Sequence, residues 1–282
     1  MRELFKAANT RWRSIVFASL AIGLGACGST EEYVAQLGNP DPEVRRDASL
    51  KLLLRDERAV PPLLETLASG PDSVRFIAVQ LLGKIGDQRA TGPLARLLRE
   101  APTKDMREEA AEALGKLGDD KAIEPLRAAL AEDPAPMVRV EALRGLVNLR
   151  YDGAAKDLVK ALDDWFPHVR KEALVGLVRL QYKELDPHLL RLVKDPDATV
   201  RYIAVQLLGR RGGAEAIGLL MERLEDESRG VREEAALSLG KLNAVEAQSA
   251  LIDLMTRSRD EDGAAAQRAL KMITGVDYHV EE

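Results

Sequence analysis

Seven arginines recur in this sequence at a nearly constant interval, and their side chains could form ion pairs or bind an anion. Each follows a valine or, in one case, Met106, and successive copies are 30 to 32 residues apart. The set is Arg45, Arg75, Arg107, Arg139, Arg170, Arg201 and Arg232. A guanidinium is always charged and presents a fork of N–H donors, so each copy requires a carboxylate, a carbonyl or an anionic ligand.

Aspartates six residues before four of these arginines are the candidate partners. The pairs are Asp133 with Arg139, Asp164 with Arg170, Asp195 with Arg201, and Asp226 with Arg232. An arginine in the first turn of a helix opposes the helix dipole, which makes a nearby carboxylate favourable. We therefore predict a structural ladder of turn aspartates and helix arginines. A basic stripe that binds an anionic ligand is the alternative.

Cys27 is the only cysteine, and its surroundings predict that it carries lipid. A cationic stretch precedes an apolar run over residues 15–24, about half the roughly 20 residues that a bilayer span needs. The run ends in Leu24-Gly25-Ala26-Cys27, which resembles the lipobox of bacterial lipoproteins. The resemblance implies an export signal over residues 1–26 and a Cys27 that carries diacylglycerol and an amide-linked chain such as palmitate, enough for stable anchoring. An ordinary signal peptide is the alternative.

The elements that position the arginines are predicted to be helices. In every copy an alanine follows the arginine by three residues and a leucine by seven, which with the preceding Val or Met form one apolar stripe. Helix starts are predicted at Asp41-Pro42, Asp72-Ser73 and Asp197-Ala198, and helix ends at Gly86, Gly118 and Gly212. A second, shorter apolar segment lies between successive stripes, so each period is a helical hairpin.

The period and the composition together predict an all-α fold of about eight stacked hairpins. A fixed period near 31 residues indicates a solenoid, and 46% hydrophobic but only 4% aromatic residues suit packed helices. The predicted regions are a signal peptide at 1–26, the lipidated cysteine and linker at 27–30, the solenoid at 31–276 and a tail at 277–282. The net charge is −5, or −8 without the first 26 residues, which disfavours nucleic acid as a partner.

The repeated string resembles HEAT-like repeats of the phycobilisome-lyase type. It reads Val-Arg-x-x-Ala-x-x-x-Leu-Gly-x-Ile/Leu-Gly-Asp followed by Ala-x-x-Pro-Leu, and its best copies run from Val74 to Leu94 and from Met106 to Leu126. The match extends from about Glu31 to Ile273. The resemblance implies a right-handed α-α superhelix, that is, a HEAT-like solenoid.

Proteins with such repeats include bilin lyase subunits, a di-iron hydroxylase of deoxyhypusine and non-catalytic scaffolds. The hydroxylase relatives bind iron through His-Glu pairs, whereas His168, His188 and His279 are followed here by Val, Leu and Val. We therefore expect no metal, no cofactor and no catalytic residue. A lyase-type enzyme subunit that binds a small molecule or cofactor in the groove is the alternative, and a purely structural spacer is a third possibility.

Aromatic side chains depart from the repeat pattern in three units, at charged positions in two and at a small or polar turn in the third. Phe76-Ile77 and Tyr202-Ile203 each follow a repeat arginine, and Trp165-Phe166 occupy the turn before another. Each aromatic ring buries about 150–250 Å² in a contact, so Trp165, Phe166 and Tyr202 are predicted to form a partner-binding patch. Further candidate partner-binding residues are Ile203, Phe76 and Ile77. Packing of these rings against neighbouring turns is the alternative.

The function predicted from these features is a membrane-tethered, non-catalytic scaffold. It would bind other proteins or peptides of the bacterial envelope through the helices that carry the arginines. The resemblance to bacterial lipoproteins implies that its lipid would hold it at the outer membrane, because Gly28 rather than Asp follows Cys27, and we expect the body to face the periplasm.

Overall fold

The computed structural model describes residues 28–258 and 261–278, and these form two compact units. One unit ends at Leu149 and the other begins at Arg150; we call them the N-terminal and the C-terminal unit. The predicted signal segment 1–26, Cys27 and His279 lie outside the described residues. All regular secondary structure in the described part is helical, so the predicted all-α fold is confirmed.

The N-terminal unit contains four helical hairpins. Its helices are α1 Thr30–Gln36, α2 Pro42–Arg55, α3 Val60–Ser69, α4 Asp72–Ile85, α5 Thr91–Glu100, α6 Lys104–Leu117, α7 Ile123–Glu132 and α8 Pro136–Leu149. The second helix of each hairpin carries the repeat arginine. These second helices pack side by side, α2 on α4, α4 on α6 and α6 on α8.

The C-terminal unit repeats the same plan with four further hairpins. Its helices are α9 Ala154–Ala161, α10 Pro167–Arg179, α11 Asp186–Leu192, α12 Ala198–Arg211, α13 Ala214–Glu222, α14 Arg229–Lys241, α15 Gln248–Arg257 and α16 Glu261–Thr274. The second helices α10, α12, α14 and α16 again pack in sequence. The described part of the chain therefore holds the eight hairpins that the period predicts.

The core of each unit is the stripe that the spacing predicts. The alanine and leucine after each arginine are at most 2% exposed in every repeat, and Ala266 and Leu270 continue the stripe in α16. Burying one such leucine contributes about 1.5–3 kcal/mol. The small residues also let second helices approach closely, because a Cβ added at Gly115 would lie 2.6 Å from the Cα of Gly145 on α8.

Helices begin at all three predicted positions, but the aspartate caps the helix at only two of them. Asp41 and Asp197 cap α2 and α12, since their carboxylates accept from the backbone amides of Glu43 and Thr199. At the third position the predicted cap is wrong, because Asp72 is the first residue of α4, after Pro71, and its carboxylate accepts from the Arg75 side chain.

The predicted helix ends are observed at all three glycines. Gly86 and Gly118 end α4 and α6 in the left-handed conformation, at φ 76° and 69°, where a glycine pays no steric penalty. Gly212 ends α12 at φ 75°.

Candidate functional site: the arginine ladder and the face of the second helices

Four of the repeat arginines, Arg107, Arg170, Arg201 and Arg232, are each held by two different partners, one just before their own helix and one in the next repeat. Arg201 Nη1 donates to the main-chain carbonyl of Asp195 at 2.9 Å. Its Nε and Nη2 donate to the two carboxylate oxygens of Asp226, both at 2.8 Å. Arg170 does the same with the carbonyl of Asp164 at 2.9 Å and the carboxylate of Asp195 at 2.9 and 2.6 Å.

This register differs from the prediction. The carboxylates of Asp164, Asp195 and Asp226 were expected to accept from the arginine six residues later. That arginine donates instead to the main-chain carbonyl of the aspartate. Asp133 likewise gives its carbonyl to Arg139 at 2.8 Å and its carboxylate to Arg107 at 2.7 and 3.1 Å. The carboxylates of Asp133, Asp195 and Asp226 therefore join their turns to the preceding repeat.

The local conformation of each aspartate explains this register. One carboxylate oxygen of Asp133, Asp164, Asp195 and Asp226 accepts from the amide two residues later, at 2.8–2.9 Å. Such a turn fixes the side chain within its own loop. Arg232, the last repeat arginine, pairs with a carboxylate on a helix instead, since Asp262 of α16 accepts from Arg232 Nε at 2.6 Å.

The first two arginines lie in a different environment. Arg45 Nη1 donates to the carbonyls of Asn39 and Pro40, at 2.7 and 2.9 Å. Arg75 donates from Nε to the carbonyl of Leu67 at 3.1 Å and from Nη1 to the exposed Asp72 at 3.0 Å. The bidentate pairs thus begin at Arg107.

Burial and charge make the later pairs structural. The side chains of Arg201 and Asp226 are 5% and 3% exposed. Hydrogen bonds to the carboxylates of Asp133, Asp195 and Asp226 raise the pKa of Arg107, Arg170 and Arg201, respectively, above the usual value. Burial alone would raise the pKa of Asp226, but the bonds from Arg201 and the Ser228 amide outweigh it and lower that pKa. Guanidinium groups so enclosed do not present a basic stripe to an anionic ligand.

The predicted aromatic patch is divided between two places. Trp165 is 70% exposed, and its ring meets the half-buried Phe166 edge to face at 5.6 Å in the turn before α10. Tyr202 lies half-buried in the second turn of α12, where its hydroxyl donates to Glu234 Oε2 at 3.3 Å. Burial, and secondly the charge of Glu234, raise the pKa of Tyr202. Tyr202 therefore shows the local packing of the alternative, whereas Trp165 is presented to solvent.

The remaining predicted residues and two unpredicted ones lie on second helices. Phe76, Ile77 and Ile203 are half-buried on α4 and α12. Leu50 and Leu54 on α2 are 53% and 48% exposed and were not singled out from the sequence. Their positions, five and nine residues after the repeat arginine, carry Gln80 and Lys84 on α4. Apolar residues at positions that are polar in the next repeat could have indicated this exposed surface from the sequence.

Two open grooves lie within the units, one in each. The N-terminal groove, of about 440 Å³, lies between α1, α3 and the start of α4, and its apolar lining includes Val34, Pro62 and Val74. The C-terminal groove, of about 430 Å³, is lined by charged side chains around the Arg201–Asp226 pair. Over residues 28–258 and 261–278, no three His, Cys, Asp or Glu residues are arranged to hold a metal ion. None of the described helices has the length and apolar character needed to cross a bilayer.

Comparisons with known proteins agree with this architecture. A family model of HEAT repeats matches residues 30–115, 60–139, 123–197 and 185–271. Among solved structures, YibA of Escherichia coli has a TM-score of 0.63 and 18% sequence identity, covering 87% of this chain and 92% of YibA. Comparison with curated protein sequences gives no match.

Two further solved structures have lower TM-scores. The complex of CpcE and CpcF of phycocyanin lyase from a Nostoc species has a TM-score of 0.48 and 25% identity, covering 52% of this chain and 96% of that one. Human deoxyhypusine hydroxylase in complex with glycerol has a TM-score of 0.38 and 22% identity, covering 88% of this chain and 98% of that one. At under 25% identity, the likeness to YibA shows the fold alone.

Proposed function

Because the chain belongs to the family of HEAT-repeat proteins, we propose that it is a non-catalytic scaffold that binds other proteins of the bacterial envelope. The resemblance of the sequence to HEAT repeats is confirmed by the family match. The binding role, the lipid anchor and the address at the outer membrane belong to the proposal.

The observation that carries the binding role is the exposed indole of Trp165. A tryptophan that is 70% exposed and braced by Phe166 is the kind of side chain that anchors protein interfaces, because it buries a large area at low cost in side-chain entropy. The nearby Arg170 forms an internal ion pair with Asp195. The turn before α10 therefore offers an apolar contact for a protein surface.

The binding role is tested by replacing the exposed ring. A Trp165→Ala/Tyr202→Ala variant is expected to keep its helical fold, with lower stability because Glu234 loses the bond from Tyr202, and to lose crosslinked envelope partners in intact cells, identified by mass spectrometry. Val245→Ala is the matched control, because Val245 is a 56% exposed apolar residue in the same unit. Equal recovery of the same partners by the double variant and the control would refute this role.

The tether is supported by the position of the first helix. The lipobox-like Leu24-Gly25-Ala26-Cys27 ends three residues before α1 begins at Thr30. Ser29 and Glu32 close a capping box there, with the Ser29 amide 2.8 Å from Glu32 Oε2 and the Glu32 amide 3.2 Å from Ser29 Oγ. A lipid on Cys27 would therefore hold the first hairpin close to the membrane surface, and a tether of this kind raises the local concentration of binding sites.

The tether is tested independently of the binding role. Cys27→Ser is expected to abolish incorporation of a palmitate analogue and to move the protein from the membrane to the soluble fraction. Trp165→Ala should leave both properties unchanged. A Cys27→Ser protein that still takes up label, or still sediments with outer membranes, would contradict the anchor, and protease treatment of whole cells would test the periplasmic orientation.

A further inference from the structure

The N-terminal unit carries an apolar surface on its first two second helices. Leu50 and Leu54 are one turn apart on α2 and about half exposed. Phe76 and Ile77 follow on α4, half-buried, and α4 packs directly against α2. Two exposed leucines four residues apart form one stripe on a helix face. The surface thus begins with four apolar side chains on adjacent helices.

The same face becomes acidic on the next helix. Glu108, Glu109 and Glu112 of α6 occupy the positions one, two and five residues after Arg107. The register between α4 and α6 is fixed by a hydrogen bond from Gln80 Nε2 to Glu109 Oε2 at 3.2 Å. Gly83 and Ala113 approach closely farther along the same pair of helices. Phe76 and Gln80 are therefore neighbours of the acidic positions across this contact.

Around Glu108, the acidic neighbours Glu141, Asp105 and Glu109 outnumber the cation Lys104. Burial, followed by the charges of Glu141, Asp105 and Glu109, raises the pKa of Glu108. Burial also raises the pKa of Glu109, although the bond from Gln80 opposes this. Lys116 reaches Glu112 at 2.5 Å. A cationic group placed over Glu108 and Glu109 would relieve their repulsion, since opposite charges across an interface favour association.

We propose that the surface formed by Leu50, Leu54, Phe76, Ile77, Glu108 and Glu109 binds an amphipathic, basic helical segment of a partner protein. Apolar side chains of the segment would cover the leucines, and lysines or arginines would meet the glutamates. Packed helices are about 8–10 Å apart, so the surface spans roughly 20 Å across three helices, which about four helical turns can cover. This inference rests on the proposed protein-binding function and places a second surface and a partner chemistry within it.

The test uses the full chain in a non-ionic detergent and two synthetic probes. One probe is a labelled 18-residue helical peptide with leucines on one face and lysines beside them. Its twin carries glutamates in place of the lysines. Fluorescence anisotropy at low salt is expected to show binding of the lysine peptide, weakening as salt screens the charges. Equal binding of the two peptides would overturn the proposal.

Variants locate the binding site. Leu50→Ser/Leu54→Ser is expected to lower the affinity for the lysine peptide about tenfold, because apolar contact area is lost. Glu108→Gln/Glu109→Gln is expected to lower that affinity about fivefold, because charge pairs at the interface are lost. The matched controls lie in the C-terminal unit, Val245→Ser/Met272→Ser for exposed apolar residues and Glu215→Gln/Glu246→Gln for exposed carboxylates. Controls that weaken binding as much as the test variants would refute a specific site, and circular dichroism verifies folding of all four.

Two further experiments distinguish binding of a peptide at this surface from binding of lipid and from binding at Trp165. The fraction of protein that floats with phosphatidylethanolamine–phosphatidylglycerol vesicles should be the same for Leu50→Ser/Leu54→Ser as for the unmodified chain. A loss of flotation in that variant would show that the leucines bind lipid and would contradict the proposal. The Trp165→Ala/Tyr202→Ala variant should keep its peptide affinity. If that variant loses its envelope partners, the proposed function is supported. If the unmodified chain then fails to bind the lysine peptide, this inference alone is refuted.

Discussion

The helix pairs α4–α6 and α12–α14 have nearly the same sequence but satisfy their polar groups differently. The string from Arg75 to Gly83 differs from that between Arg201 and Gly209 only by Phe76 in place of Tyr202. Arg75 nevertheless has a side chain 26% exposed and pairs with the exposed Asp72, whereas Arg201 is 5% exposed and holds Asp226 with two bonds. The presence of a carboxylate in the next repeat therefore decides whether the repeat arginine is buried in a bidentate pair or left partly exposed.

A second difference concerns the glutamate that faces each pair. Glu109 accepts from Gln80 and is half-buried, whereas the equivalent Glu234 accepts from Tyr202, is 7% exposed and has Oε1 without a hydrogen bond. Ser238, which replaces Ala113 in the equivalent position, also has an unbonded buried hydroxyl. The N-terminal pair therefore turns its acidic groups toward solvent, and the C-terminal pair encloses them.

The largest expected effect comes from breaking the buried ion pair of the C-terminal unit. Asp226→Ala should lower the free energy of unfolding by about 3–5 kcal/mol, because Arg201 is left buried without its carboxylate. Asp72→Ala, at the equivalent arginine of the N-terminal unit, should cost less than about 1 kcal/mol, as for exposed pairs. Urea denaturation of both variants measures the difference.

A double substitution tests whether the loss arises from the unpaired charge. Arg201→Met/Asp226→Leu should recover much of the stability, because replacing both members of a buried pair by apolar residues is often neutral. A double variant as unstable as Asp226→Ala would show that packing or the turn, and not charge, is responsible.

The next effect concerns the close approach of second helices. A Cβ at Gly83 would lie 2.9 Å from the Cα and Cβ of Ala113, whereas one at Gly209 would overlap the Ser238 side chain. Gly209→Ala should therefore destabilise more than Gly83→Ala, each by about 1–3 kcal/mol. Gly92→Ala is the control, since nothing lies within 4 Å of its Cβ position. The comparison of helix pairs fails on this point if thermal unfolding ranks Gly83→Ala as the more damaging.

The sequence predicted the hairpins well because their signal is local. The alanine and leucine after each arginine, such as Ala204 and Leu208, share one helix with it, and their spacing fixes the buried face. The register of the ladder was not predictable in this way. Arg201 and Asp226 are 25 residues apart, and only the stacking of one hairpin on the next shows which arginine a carboxylate faces.

The surface was predicted less completely than the core. Trp165 was singled out because an aromatic residue in a turn departs from its repeat, and its exposure agrees with that interpretation. Leu50 and Leu54 were missed because leucine in a leucine-rich helix is ordinarily core. The separation of Tyr202 from Trp165 depends on the direction of each side chain, which spacing alone does not give.

A smaller effect is expected from the single hydroxyl that distinguishes the two strings. Tyr202→Phe should destabilise by about 0.5–1.5 kcal/mol, because Glu234 loses the 3.3 Å bond to the phenol while staying buried. Phe76→Tyr should change stability less, since Gln80 already donates to Glu109. Urea midpoints of the two variants at one pH make the comparison, and equal shifts would contradict the different roles assigned to the two rings.

The smallest effect is a pH dependence that should have opposite sign in the two helix pairs. Burial raises the pKa of Glu109, so its folded state binds the proton more tightly than the unfolded chain, and this contribution to stability is full below the unfolded pKa and lost as the pH rises through the folded value. Asp226 has a lowered pKa, so its contribution is full above the unfolded pKa, about 3.9, and lost as the pH falls through the folded value. Glu109→Gln should therefore gain stability relative to the unmodified chain at pH 7 but not at pH 4, measured by urea denaturation at both. Glu112→Gln, on the same helix, is the control, and a gain that is equal at both pH values would show that burial of the Glu109 charge does not oppose folding.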